Sequence, residues 1–222
     1  MILPLLVAIA LKPPGVFHQG ESIARNNQDW LALRVSNREA ALVPTRVKLA
    51  KVTDEAFGDE EGVKTADEVS SSVRDVTMFL RGAPFTAGPV SMGRFTQPDE
   101  TKAVFTVTFE GNEYRIAPRC RAAGVREGQR QLACEWRLAS GKREQVLVRM
   151  PGYVSKDNVE MLGDDASPKV LFAGDLDHDG RLDLILDITD HYNVSRPTLF
   201  LSKDAEGDAF VKQSAQFVSV GC

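Results

Sequence analysis

The chain holds 222 residues, enough for one large β domain or a domain with a smaller appendage; with 43% hydrophobic and 26% charged residues it is not a disordered chain. Its net charge is −4, and lysines and arginines are mixed with acids throughout, so a dedicated nucleic-acid binder is not expected.

The chain begins with the apolar run Met1 to Ala10, which ends in Ala8-Ile9-Ala10. This pattern has the h-region and the small-residue cleavage site of a secretory signal, though no Lys or Arg precedes it. A first β-strand is the other reading of the same run. It is too short to span a bilayer, so an integral membrane protein is not expected. The expected division is a degenerate signal segment over residues 1–15, an N-terminal β subdomain or hairpin over 16–60, and a main β domain over 61–222.

Trp30 to Val35 reads as a strand, Asn37-Arg38-Glu39 as a turn, and Ala41 to Val52 as a longer strand with an edge or a break at Pro44. Residues 53–75 are acidic and polar and read as a solvated loop or linker. Val76 to Leu80 is strand-like, and Pro84 and Gly88-Pro89 break the pattern that follows. Lys102 to Glu110 alternates cleanly, Gly111-Asn112 turns, and Tyr114 to Arg119 returns, which is a strong hairpin signal. Leu132 to Leu138 and Glu144 to Arg149 make another hairpin around Ser140-Gly141-Lys142. After a polar connection, residues 169–174, 182–189, 198–202 and 209–218 supply the last strands. No long helical period is present. Short strands separated by turn signals predict an all-β fold, an antiparallel sandwich or barrel.

Three cysteines are present. Cys120 and Cys134 flank the turn-rich segment Arg121 to Arg130 and suit a bridge across a hairpin. The pairs 120–222 and 134–222 are also open, as are three free thiols.

The densest chemical signal is Asp175-Leu-Asp177-His-Asp179-Gly180-Arg-Leu-Asp183. Carboxylates at positions 1, 3, 5 and 9 of one loop offer the hard oxygen donors that suit Ca²⁺. Gly180 stands where the backbone must turn sharply, and the carbonyl of Arg181 is a further candidate ligand. The predicted metal ligands are therefore Asp175, Asp177, Asp179, Arg181 and Asp183. Lys169 to Gly174 before the loop reads as a strand. Beyond it, Leu182, Leu184, Leu186 and Ile188 alternate with Asp183, Ile185 and Asp187, placing the first set on a buried face. Position 12, where an EF-hand places Glu, is Leu186. The loop therefore joins strands, not helices.

Asp175, Asp177, Asp179, Gly180 and Asp183 followed by Leu184 resemble the calcium loop of FG-GAP or VCBS-type repeats. A single copy is present, so the propeller of that family does not carry over. In overall pattern the chain also looks like calcium-containing immunity proteins that neutralise peptidoglycan hydrolases, β-sandwiches similar to periplasmic lysozyme inhibitors. That resemblance implies a periplasmic or secreted inhibitor whose loop enters a lysozyme-like enzyme. Ser140, Lys142 and Tyr192 are the candidate partner-binding residues. Lysozyme inhibitors often carry S-G-x-x-Y, and here Ser140-Gly141-Lys142-Arg143-Glu144 has Glu in the place of Tyr. Asp190-His191-Tyr192-Asn193 reads as a loop able to meet a ligand or partner. The alternatives are a glycan-acting hydrolase with a structural calcium and an adhesive module. An enzyme is not expected, since no nucleophile elbow, zinc signature or phosphate loop is present.

Overall fold

The computed structural model describes residues 8–21, 24–36, 39–53, 64–99, 103–166 and 168–221. Among these residues every regular element is a strand, so the all-β expectation holds. One antiparallel sheet has nine strands. Their spatial order is β1 (Ala10–Lys12), β7 (Val76–Arg81), β3 (Asp29–Val35), β4 (Ala40–Arg46), β8 (Gly88–Met92), β15 (Lys169–Asp175), β16 (Asp183–Asp187), β18 (Pro197–Leu201) and β19 (Lys212–Gln216). β1 also lies against β18 and β19, so this sheet curls into a nearly closed barrel. It takes strands from both sides of residue 60, with β1, β3 and β4 before that point and the other six after it.

A second sheet runs β14 (Glu160–Leu162), β13 (Arg143–Val154), β12 (Gln129–Ser140), β11 (Asn112–Arg126), β10 (Val104–Phe109) and β9 (Arg94–Asp99). A three-stranded sheet orders β2 (Gly15–His18), β6 (Ala66–Ser70) and β5 (Lys48–Val52), and β17 (Val194–Ser195) pairs with β20 (Ser219–Val220). Two cores result. One gathers Trp30, Leu33, Phe79, Phe172 and Ile185 of the barrel with Phe17 and Val69 of the three-stranded sheet. The other places Phe105, Ile116, Trp136 and Leu138 of the six-stranded sheet against Leu184, Leu186 and Phe200. Each such buried side chain contributes about 1.5–3 kcal/mol.

β16 is the shared wall. Leu184 and Leu186 face the six-stranded sheet while Ile185 faces the barrel core. The expected buried leucine face is there, but the opposite face is buried too, and Asp183 lies on it. This double burial brings a carboxylate into the interior of the molecule.

Several elements differ from the sequence reading for identifiable reasons. Ala41 to Val52 is not one strand. It breaks at Val47, whose N–H reaches Gln28 O at 3.1 Å, and β5 leaves to join β6. β6 itself lies in the segment read as a loop; Asp54, Glu55 and the Asp59-Glu60-Glu61 run fall outside the described residues. Pro44 sits inside β4, where β8 pairs only with Ala40 to Leu42, so the missing donor costs no ladder bond on that side. The turn-rich segment Arg121 to Arg130 is turn only at its tip. β11 and β12 continue as a two-stranded ribbon to a tight turn at Glu127-Gly128, both in the left-handed region at φ 52° and 79°. Ala10 to Lys12 form β1, paired with β7; Met1 to Val7 lie outside the described residues. Lys12 is fully buried, with Nζ 3.3 Å from the Phe17 ring centroid and 3.6 Å from that of Phe217, and burial pushes its pKa down to about 7.

Candidate metal centre

The loop between β15 and β16 is held at both ends by burial. Leu176 packs into the barrel core and Leu182 into the other. Pairing of Gly174 with Asp183 sets the two ends of the loop side by side. Gly174 also lets the neighbouring strand β8 approach closely, since a Cβ there would stand 2.2 Å from Ser91 O. Gly180 and His178 turn the loop back with φ of 79° and 63°.

Three of the predicted ligands converge. Carboxylate oxygens of Asp175, Asp177 and Asp183 lie within 4.8 Å of one another. Asp175 is 6% exposed and accepts the N–H groups of Asp179 at 3.0 Å and Gly180 at 2.9 Å. Asp183 is fully buried. Its Oδ2 accepts Leu176 N–H at 2.9 Å, and its Oδ1 accepts Ser202 N–H at 2.8 Å and the Ser202 hydroxyl at 2.9 Å. Asp177 differs from both: each of its carboxylate oxygens is shielded from solvent and has no hydrogen-bond partner among the described residues.

The electrostatics follow from this geometry. Burial pushes the Asp183 carboxyl up to about 7; the Ser202 and Leu176 amides hold it back and the Asp177 charge adds to the rise. Burial also raises Asp177, reinforced by the charges of Asp179 and Asp175. The Asp179 amide lies near enough to favour the Asp177 anion without meeting hydrogen-bond geometry. The one nearby cation acting on Asp177, Lys203, has its Nζ on Asp204 at 2.6 Å. Buried carboxylates this close repel unless a cation joins them. The oxygen-only donor set fits a hard metal ion.

The other two predicted ligands are tied to each other. Arg181 donates to Asp179 Oδ2 from Nε at 3.0 Å and from Nη2 at 2.6 Å, and its amide reaches Asp179 Oδ1 at 2.9 Å. Asp179 Oδ2 lies 3.1 Å from the Ser202 hydroxyl and competes with Asp183 for its single proton. Ser202 was not legible as part of this site. It follows β18 and arrives only because β18 pairs with β16.

The candidate partner residues lie at two ends of β13. Ser140 donates to Glu113 O at 2.7 Å beside the exposed Lys142, where β13 begins. Tyr192 borders a cavity of about 500 Å³ that Asp165 also lines, and Asp165 accepts Tyr153 OH near the end of β13. A strand of this length separates the two ends by about 35 Å. Tyr192 is 69% exposed and stacks on His191 at 4.5 Å, and His191 Nε2 is 3.1 Å from Asp164.

Cys120 and Cys134 face each other in β11 and β12 and are disulfide-bonded, which leaves neither for Cys222; Cys222 itself lies outside the described residues. No family model, curated protein or solved structure matches this chain.

Proposed function

We propose that the protein is an exported, calcium-stapled β protein that acts by binding another protein rather than by catalysis. The observation that carries the metal is Asp177. Two shielded, unpartnered carboxylate oxygens beside two further buried carboxylates are costly without a cation and favourable with one. Ca²⁺ is the ion that an all-oxygen, carboxylate-rich loop takes most readily. Asp175, Asp177 and Asp183 would hold it, and the nearly full burial of the outer two favours a structural clip between β15 and β16. The disulfide supports export, because such bonds persist in oxidising compartments.

The binding role draws on the Tyr192 platform. An exposed aromatic ring fixed from below by His191 suits a protein partner, since rigid aromatic anchors dominate interface energy. The identification of that partner as a lysozyme-like peptidoglycan hydrolase rests on the sequence resemblance alone. Isothermal titration with Ca²⁺ and with Mg²⁺ tests the metal. One Ca²⁺ per chain, taken up in preference to Mg²⁺, is expected; absence of heat with both ions would sink the reading. Pull-down with purified lysozyme-like hydrolases, repeated with Tyr192→Ala, tests the partner, and capture of none of them rejects the inhibitor role.

A further inference from the structure

The six-stranded sheet turns one face to the second core and the other outward. The register identifies the outward set. Arg115, Arg119 and Arg121 of β11 pair with Ala139, Glu135 and Ala133 of β12, which alternate with the buried Cys134, Trp136 and Leu138. On the far side of β12, Glu144 and Arg149 of β13 pair with the same Ala139 and Glu135. Two adjoining depressions mark this face. One of about 570 Å³ is lined by Arg119, Arg121 and Arg149, and one of about 290 Å³ by Arg115, Arg119 and Glu144.

The charges of this face do not cancel. Arg137 of β12 holds both of its glutamates, Glu135 and Glu144. Arg149 shares Glu135 at 3.1 Å, and Arg119 shares Glu144 at 3.6 Å. The side chains of Arg115 and Arg121 have no ion pair or hydrogen bond among the described residues. Five arginines thus stand against two glutamates, in a chain whose net charge is −4. The four outer arginines are accessible. Arg115 and Arg121 are exposed, and the side chains of Arg119 and Arg149 are 70% and 74% exposed. Charge gathered on one face, opposite in sign to the rest of the molecule, suits a partner of the other sign.

We propose that this face docks an acidic, extended segment of another polypeptide. Successive outward side chains of a strand stand about 7 Å apart, so alternate carboxylates of an extended segment match the step from Arg119 to Arg121. The guanidinium fork takes each carboxylate through two parallel donors. β11 and β13 stand about 10 Å apart on either side of β12, so their arginines wall a trough with room for one chain, which a flat bilayer does not enter. No aromatic ring is among the described residues that line the two depressions, so nucleobases have no platform on which to stack.

Fluorescence anisotropy with a labelled peptide of alternating Glu and Ser tests this, with its Gln and Ser counterpart as the uncharged control. Saturable one-to-one binding of the Glu peptide is expected, with the control weaker by about tenfold or more. The double variant Arg115→Gln/Arg121→Gln should lose about the same factor while its melting temperature stays put, because neither side chain has an ion pair to lose. Arg34→Gln/Arg46→Gln removes the same charge from the barrel, where these two pair with Asp75 and Asp29, and should keep the affinity. Absence of Glu-peptide binding, or an equal loss in the barrel variant, would overturn the proposal. So would tighter binding of an oligothymidylate or oligogalacturonate of the same charge, or capture by phosphatidylserine vesicles that depends on Arg115 and Arg121. None of these readouts involves the Asp177 cluster or Tyr192, so the arginine face stands or falls apart from both.

Discussion

Two acidic loops leave opposite ends of β16, and they solve the same electrostatic problem in different ways. The loop of Asp187 to Pro197 neutralises its acids from within. Asp187 accepts N–H groups from Thr189 and Arg196 and the Ser195 hydroxyl, and Asp190 pairs with Arg196 at 3.0 Å. Beside it, Asp164 meets His191. The loop of Asp175 to Asp183 carries four carboxylates, and the one Arg within it is spent on Asp179. Asp175 and Asp183 take backbone amides and Asp177 takes nothing. Acid content alone therefore does not predict an ion. The balance of charge after internal pairing does.

The largest expected effect comes from removing the ion. At a hundredfold excess over Kd, a ligand that binds only the folded state adds about 2.7 kcal/mol. For a chain of this size that is a loss of roughly 5–10 °C in melting temperature on adding EDTA. The same chelation leaves the Asp187 loop without a role, so the Asp187→Asn variant should show the full EDTA shift. A melting curve indifferent to EDTA in calcium-containing buffer would remove the contrast between the loops.

Next in size is a pair of substitutions with opposite signs. Asp183→Ala strips the Leu176 and Ser202 amides of their acceptor, at about 1–3 kcal/mol for each buried group, with or without metal. Asp177→Asn removes a repelled charge that nothing pairs. It should abolish calcium uptake and yet raise the melting temperature of the EDTA-treated protein. Thermal melts with and without calcium check both. Destabilisation of the metal-free protein by Asp177→Asn would mean that its carboxylate is satisfied in some other way.

A further effect lies in pH. The Asp183 carboxyl stands at about 7 in the folded, metal-free protein and at an ordinary 3.8 when unfolded. Between these values the folded state holds more protons than the unfolded one, so stability falls as pH rises. The contribution is fully present below pH 3.8 and lost as pH passes through about 7. Calcium reverses the preference, because the ion needs the anion. The EDTA shift should therefore grow from pH 5.5 to pH 8, and a shift of constant size across that range would contradict the assignment of Asp183 to the site.

How much of this was legible in advance depends on the range of the interactions. Asp175, Asp177 and Asp183 are joined by a local turn, and their spacing alone revealed them. The alternation of Val104 to Phe109 and of Leu182 to Ile188 revealed strands, because one face of each had to be buried. Ser202 was hidden, since only the β16–β18 register carries it to Asp183. The pairing of Asp179 with Arg181 was hidden as well, because a loop pattern does not distinguish a carboxylate turned inward from one held by its neighbour. The ribbon at Arg121 to Arg130 read as a turn because both of its faces are exposed, which erases the period-two signal.

The smallest stability effect should come from Tyr192, and that smallness is informative. Its ring is 69% exposed and touches the molecule through the His191 stack. Surface changes of this kind stay within about 0.5 kcal/mol. Tyr192→Ala should leave the melting temperature and the EDTA response unchanged while removing the aromatic anchor for a partner. His191→Ala takes away the support and the Asp164 contact, so the ring loses its fixed orientation. If the Asp187 loop serves recognition, both variants weaken partner capture, and Tyr192→Ala does so without any cost in stability. A clear fall in melting temperature for Tyr192→Ala would instead make the ring a packing element and place both acidic loops in the service of the fold.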